Sequence, residues 1–270
     1  MAKLRTRQKL AIASWNAPME GNIYGKVVVD ATSALAYLEH VRKTTGTKVT
    51  ITHLVGKAAG LVLKQAPSLN GTIVLGGFRA FPTVDVAFLV NLEGGNDLAK
   101  AKVVDIDRKS VVDIAGELNA AAEKLRKGQD ESFKKAQGPL KMLPTWLVRP
   151  LVHFSGFLAS GLGINLPMFG LEANPFGSCI VTNVGMFGID EAYAPPTPWA
   201  RVPVYLLVNA VKDAPTAVDG QVVVRPMLTV TATVDHRYMD GAQLGVLAKV
   251  LRQTLENPWT LEGLQGPPGA

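Results

Sequence analysis

The chain of 270 residues contains one cysteine, Cys179, and only four histidines. A single thiol excludes an internal disulfide and the paired-cysteine spacing of structural zinc sites, and it points to a reducing, cytoplasmic setting. Cys179 lies in the apolar run SCIVTNVG, where a buried structural thiol is the expectation. His40, His53 and His153 stand apart, without cysteine or carboxylate partners at ligand intervals, so they are expected to be structural or surface residues and no metal is expected. The net charge of +6 is scattered, and no aromatic-rich basic stretch accompanies it. This argues against a nucleic-acid binder while remaining compatible with an anionic ligand such as a nucleotide or CoA. The basic N-terminus, MAKLRTRQKLAIASW, is too short and interrupted in its apolar part for a secretory signal.

Charge is missing altogether from Pro150 to Leu171, inside a longer apolar stretch running from Gly138 to Pro175. Its length would suit a membrane span, but Pro150, Pro167, four glycines and His153 interrupt any single helix. The expectation is one domain over residues 1–270 with an apolar helical insertion at about 138–175, acting as a packed element or lid. An oligomer contact or a helix lying at a membrane surface is the alternative.

Elsewhere the hydrophobic period alternates between the two regular forms. KVVVDAT reads as a strand feeding the helix SALAYLEHVRKTTG, and ITHLVGKAAGLVLKQ reads as a second helix stopped by Pro67. VDVAFLVNLEGG and AKVVDID read as strands, followed by the helix SVVDIAGELNAAAEKLRKGQ. CIVTNVG, VPVYLLVNAVKD and QVVVRPMLTVTATVDHR are further strands, the last two joined by a turn at Val218-Asp219-Gly220. AQLGVLAKVLRQTLEN is a closing helix ended by Pro258. Strands grouped in hairpin succession with helices to one side give an α+β fold with a mixed sheet.

The last strand delivers TVDHRYMDGAQ at residues 233–243. Its period of two puts Leu228, Val230, Ala232 and Val234 on one face, and by that count His236 points with them. An imidazole against an apolar surface is disfavoured as a cation and suits a general base. Asp240 stands where a helix N-cap is wanted, with Gln243 at capping-box spacing. Capping alone accounts for Asp240, and a satisfied core histidine would account equally for His236. Asp235 and Arg237 flank the ring with no partner that the spacing selects.

DHRYMDG closely resembles the active-site signature of the dihydrolipoamide acyltransferase (E2) catalytic domain of 2-oxoacid dehydrogenase complexes, whose fold is that of chloramphenicol acetyltransferase. KAAGLVLKQAPSLNG, VDVAFLV, DIDRKSVVDIAGEL, TNVGMFGIDEAYAP and LENP resemble family segments in family order. The resemblance implies a homotrimer, or a multiple of trimers, with active sites between subunits and coenzyme A as a substrate. It implies His236 as the base that deprotonates the attacking thiol or hydroxyl. It implies Thr182, from the neighbouring subunit, as the hydroxyl that stabilises the oxyanion, and Asp240 as an orienting residue. Asn183 and Gly185 would shape the turn after the Thr182 strand.

The chain also departs from the family. No lipoyl domain, subunit-binding domain or Pro/Ala-rich linker precedes the catalytic region, so no lipoyl group is expected on this chain. EGGNDLAKAKVVD replaces the family's glycine-leucine-valine-proline strand, GNIYGKVVVD stands where a proline-histidine pair is usual, and LEGLQGPPGA lacks the leucine-rich tail that docks trimers into cages. The expectation is therefore a free-standing acyltransferase acting on an acyl-CoA, with a lipoyl-bearing protein or another small acceptor as partner. A scaffold of the same fold whose chemistry has lapsed is the alternative. An apolar insertion bordering the channel would favour hydrophobic acyl chains or acceptors.

Overall fold

A computed structural model describes residues 21–92, 97–132, 134–135, 145–264 and 266. The basic N-terminal stretch, residues 138–144 of the apolar segment and the end of the C-terminal tail lie outside the described residues. Strand β1 (Asn22–Asp30) leads into helices α1 (Thr32–Thr45) and α2 (Ile51–Gln65), then into a small hairpin, β2 (Gly71–Val74) and β3 (Gly77–Ala80). There follow β4 (Val86–Leu92), β5 (Asp97–Val103), α3 (Val111–Arg126) and α4 (Thr145–Gly156). The chain closes with β6 (Cys179–Asn183), β7 (Val204–Val218), β8 (Gln221–Asp235) and α5 (Gly241–Glu256). The six-stranded sheet has the order β1-β8-β7-β6-β4-β5. β6 runs parallel to both of its neighbours and the other pairs are antiparallel, so the sheet is mixed as expected.

Local chemistry sets the boundaries. Gly46, in a left-handed conformation with φ 70°, ends α1, and its N–H reaches the Arg42 carbonyl. Asp219 and Gly220 both have positive φ, 50° and 79°, as a two-residue hairpin turn between β7 and β8 requires. The helices cover one sheet face, where Val204, Leu206, Val208, Leu228, Val230, Ala232 and Val234 join the main core. Helix α2 approaches closely because it presents glycine: a Cβ on Gly56 would lie 2.2 Å from the Phe88 ring, and one on Gly60 2.6 Å from Ile106. The opposite face is covered as well. Ala87, Ile180 and Tyr205 pack there beneath Ala200 and Val202 in a second small core. Thr231 and Thr233 of β8 are buried beneath it, and the Thr231 hydroxyl donates to the Ala192 carbonyl.

The β2–β3 hairpin has no counterpart in the expected strands. Both arms have only four residues, too short for a period to register, yet the hairpin anchors the chain beyond α4. After α4 the chain forms a π-helical turn, Phe157–Leu162, and a short 3₁₀ turn at Pro167–Phe169. Gly156 sits against the Trp199 backbone, where a Cβ would fall 2.4 Å from the carbonyl oxygen. Arg79 of β3 donates to the carbonyls of Gly161 (3.1 Å) and Ser160 (3.3 Å) and to Asn174 Oδ1 (2.7 Å). Among the described residues no helix is long and apolar enough to cross a membrane.

Candidate active site

Three residues after β8 form a turn held by its own side chains. Arg237 lays its guanidinium along the Asp235 carboxylate, with Nε 2.9 and 3.0 Å from the two oxygens, while its backbone N–H donates to Oδ1 at 3.0 Å. Asp235 is 4% and Arg237 12% exposed at the side chain, so this is a desolvated bidentate pair. Burial works against the Arg237 charge, but the Asp235 hydrogen bonds and charge outweigh it and raise its pKa above the ordinary value. The two charges whose partners the sequence left open are each other's partner.

The ring of His236 is half-buried and its Nδ1 lies 2.7 Å from the Met239 carbonyl. A carbonyl can only accept, so Nδ1 carries the proton and Nε2 is the basic nitrogen of the neutral ring. His236 lies just past the strand, and its backbone N–H donates to the Gly21 carbonyl at 2.7 Å. Asp240 caps α5: its carboxylate accepts from the Ala242 N–H at 3.0 Å, and its own N–H donates to Gln243 Oε1 at 2.9 Å. His236 and Asp240 thus share one turn, four residues apart.

Thr182 does not join them within the chain. It is half-buried near the end of β6, level with Leu207 of β7, which is level with Thr231 of β8. His236 is five residues further along and two strands across, a separation on the order of 20 Å from strand geometry. The Thr182 hydroxyl has no hydrogen-bond partner among the described residues. Its neighbour Asn183 is engaged, donating to Thr52 Oγ1 at 2.8 Å and accepting from the Met186 N–H at 3.1 Å. Gly185 abuts the Asn209 carbonyl, 2.4 Å from a Cβ placed there, so both residues shape the turn as expected.

Two further residues brace the His236 turn, and neither stood out in the sequence. The Tyr238 hydroxyl accepts from the Ile73 N–H at 2.8 Å, and Arg201 Nη1 donates to the Ile73 carbonyl at 3.0 Å, so both polar groups of one residue in β2 are gripped. Burial, with Asp235 nearby, pushes the Tyr238 phenol up to about 12, which keeps it protonated. His53 is structural: its Nδ1 accepts from the Thr50 N–H at 3.1 Å at the start of α2, and burial, with the charge of Arg42, lowers its pKa to about 4. Cys179 is buried, which raises its thiol far above the reactive range. Among the described residues no three His, Cys, Asp or Glu side chains cluster to hold a metal.

The 2-oxoacid dehydrogenases acyltransferase (catalytic domain) family matches residues 7–135 and 175–262, and the chain belongs to that family. The unmatched residues between the two blocks hold α4 and the π-helical turn. The chain is 26% identical over 222 residues to the dihydrolipoyllysine-residue succinyltransferase component of the Saccharomyces cerevisiae 2-oxoglutarate dehydrogenase complex, covering 82% of this chain and 39% of that protein. It therefore spans less than half the length of that relative. The fold superposes on the Azotobacter vinelandii dihydrolipoamide acetyltransferase, studied for the catalytic roles of a serine, a histidine and an asparagine. That match has a TM-score of 0.65 and 19% identity, and covers 97% of this chain and 94% of the other. A chloramphenicol acetyltransferase shares the fold at a TM-score of 0.52 and 11% identity, over 93% of this chain and 96% of the other.

Proposed function

We propose that the protein is an acyltransferase moving an acyl group between the thioester of coenzyme A and a thiol of the dihydrolipoyl type, working as a homotrimer or multiple of trimers. Residues 1–270 act as one catalytic unit with an inserted helical segment at about 138–175, in the cytoplasm. His236 takes the thiol proton on Nε2, and the sulfur attacks the acyl carbonyl. Thr182 of an adjacent subunit donates to the developing oxyanion. Collapse then releases CoA as a thiolate, which recovers the proton from the imidazolium. Asp240 orients the turn without carrying a proton. The observation that carries this reading is the pairing of a histidine whose Nδ1 is tied to Met239 O with a hydroxyl that has no partner in its own described surroundings.

The separation within one chain supports a second subunit as the source of the hydroxyl. A donor to the oxyanion is worth about 3 kcal/mol in the transition state, which a threonine on the order of 20 Å away cannot supply. In the Azotobacter enzyme the named histidine and asparagine stand four residues apart, as His236 and Asp240 do here, and the named serine precedes that histidine by 52 residues, against 54 from Thr182 to His236. The acyl groups named in the relatives, succinyl and acetyl, support a short acyl donor, and their dihydrolipoyllysine acceptor supports a lipoyl-bearing partner protein. The test is acyl loss from a panel of acyl-CoAs with dihydrolipoamide as acceptor. His236→Ala is expected to lower the rate by about a thousandfold. Equal rates in the two proteins would refute the base and favour a lapsed scaffold.

A further inference from the structure

Where the inserted segment meets the β2–β3 hairpin, two guanidinium groups lie with no carboxylate of the described residues within ion-pair distance. Arg79 is committed to the carbonyls of Ser160 and Gly161 and to Asn174, leaving Nη1 without an acceptor. Arg201 is committed through Nη1 to Ile73, leaving Nε and Nη2. Each also stands over a ring, Arg79 5.2 Å from the centre of Phe81 and Arg201 5.5 Å from that of Phe157. Burial lowers the pKa of both. Arg201 moreover sits in the left-handed region with φ 54°, a conformation that costs a non-glycine residue about 1 kcal/mol.

Gly161 leaves room beside an uncommitted N–H group of Arg201, and Gly163 packs tightly against that of Arg79. A Cβ on Gly161 would touch Arg201 Nε at 3.5 Å, and one on Gly163 would lie 2.8 Å from Arg79 Nη1. Ser160, whose carbonyl accepts from Arg79, is 3% exposed, with a buried hydroxyl that has no hydrogen-bond partner. Two partly desolvated cations and an orphaned hydroxyl are unfavourable as they stand, and an oxyanion would satisfy all three. Arg201 and Tyr238 hold the same residue, Ile73, so this cluster is two hydrogen bonds from the turn of His236.

We infer that Arg79, Arg201 and Ser160 form a binding site for an oxyanion carried by the acyl donor: a phosphate of CoA or the distal carboxylate of a dicarboxylic acyl group. This rests on the reading that the donor is an acyl-CoA. It also revises the expectation that the insertion selects hydrophobic groups, since the segment around Ser160 and Gly161 meets two arginines.

The test measures binding to the full chain by calorimetry, which needs no turnover. The ligands are butyryl-CoA, succinyl-CoA and S-butyryl-pantetheine, and the proteins are wild type, Arg79→Gln, Arg201→Gln and Gly161→Ala. The last keeps both charges and meets only ordinary contacts, so it tests the site even if an arginine variant fails to fold. If the anion is a phosphate, the variants weaken both CoA esters by about tenfold or more and leave the pantetheine thioester within about twofold. If it is the acyl carboxylate, only succinyl-CoA is weakened. Unchanged affinity for both CoA esters in all folded variants overturns the site while leaving the acyltransferase reading intact. Failure of the wild-type protein to bind any of the three overturns both.

Discussion

The turn from Asp235 to Gln243, which carries His236, and the segment from Thr145 to Phe169 are held in different ways. Short-range bonds shape the turn from within, each spanning two or three residues: Arg237 to Asp235, His236 to Met239, Ala242 to Asp240, Asp240 to Gln243. The segment is held from far away in sequence, by Arg79 some 82 residues before Gly161 and by Trp199 and Arg201 after it. A turn of the first kind carries much of its geometry in its own residues, with distant groups such as Gly21 and Ile73 bracing it from outside. A segment of the second kind takes its geometry from whatever it covers, and its composition reports only that it is covered.

The largest effect is expected where the local turn is broken. Arg237→Ala leaves the Asp235 carboxylate buried and unpaired, which should cost about 3–5 kcal/mol of stability in denaturant unfolding. A loss under 1 kcal/mol would mean that the turn is held by its packing and not by its ion pair. Next comes a second local device, the His53 cap. Its folded pKa, near 4, lies below the unfolded value of 6.5, so the unfolded chain binds the proton first as pH falls. Stability is therefore full above pH 6.5 and should decline between 6.5 and 4 by on the order of 2–3 kcal/mol from this group. His53→Gln, which keeps an acceptor for the Thr50 N–H, should flatten that part of the pH profile.

The distant contacts are probed by Gly156→Ala, whose methyl would meet the Trp199 carbonyl at 2.4 Å. About 1–3 kcal/mol should be lost if the segment is packed in place, and nothing if it swings as a loose lid. The smallest effect belongs to Asp240. Asp240→Ala should lower stability by about 1 kcal/mol and Asp240→Asn by almost nothing, because asparagine caps as well as aspartate. A large loss of activity in Asp240→Asn at unchanged stability would give the carboxylate a chemical role beyond orientation.

The same contrast decides what could be read in advance. The β7–β8 hairpin, the cap at Asp240 and the helix ends at Gly46, Pro67 and Pro258 follow from rules acting over a few residues, and all stand in the fold. The Asp235–Arg237 clasp is equally local, but alternation along the strand assigns the two to one face without showing that they turn toward each other. Tyr238 and Arg201 were illegible because their common partner, Ile73, lies 165 and 128 residues away on a hairpin too short to show a period. The cover over Thr231 and Thr233 carries no sequence signal for a related reason: it comes from residues 190–203, an irregular stretch with no pattern that marks it as a lid on a sheet. Thr182 was legible only through family resemblance, since a threonine in a strand carries no local signal of chemistry.

The proposed mechanism has His236 of one protomer meet Thr182 of another, and subunit complementation tests that most directly. His236→Ala and Thr182→Ala should each be nearly inactive alone, the latter by about a hundredfold. Co-expressed in equal amounts, they should form mixed trimers in which about one interface in four pairs an intact histidine with an intact threonine, restoring about a quarter of wild-type activity. Mixed trimers that stay as inactive as their parents would contradict a site shared between subunits.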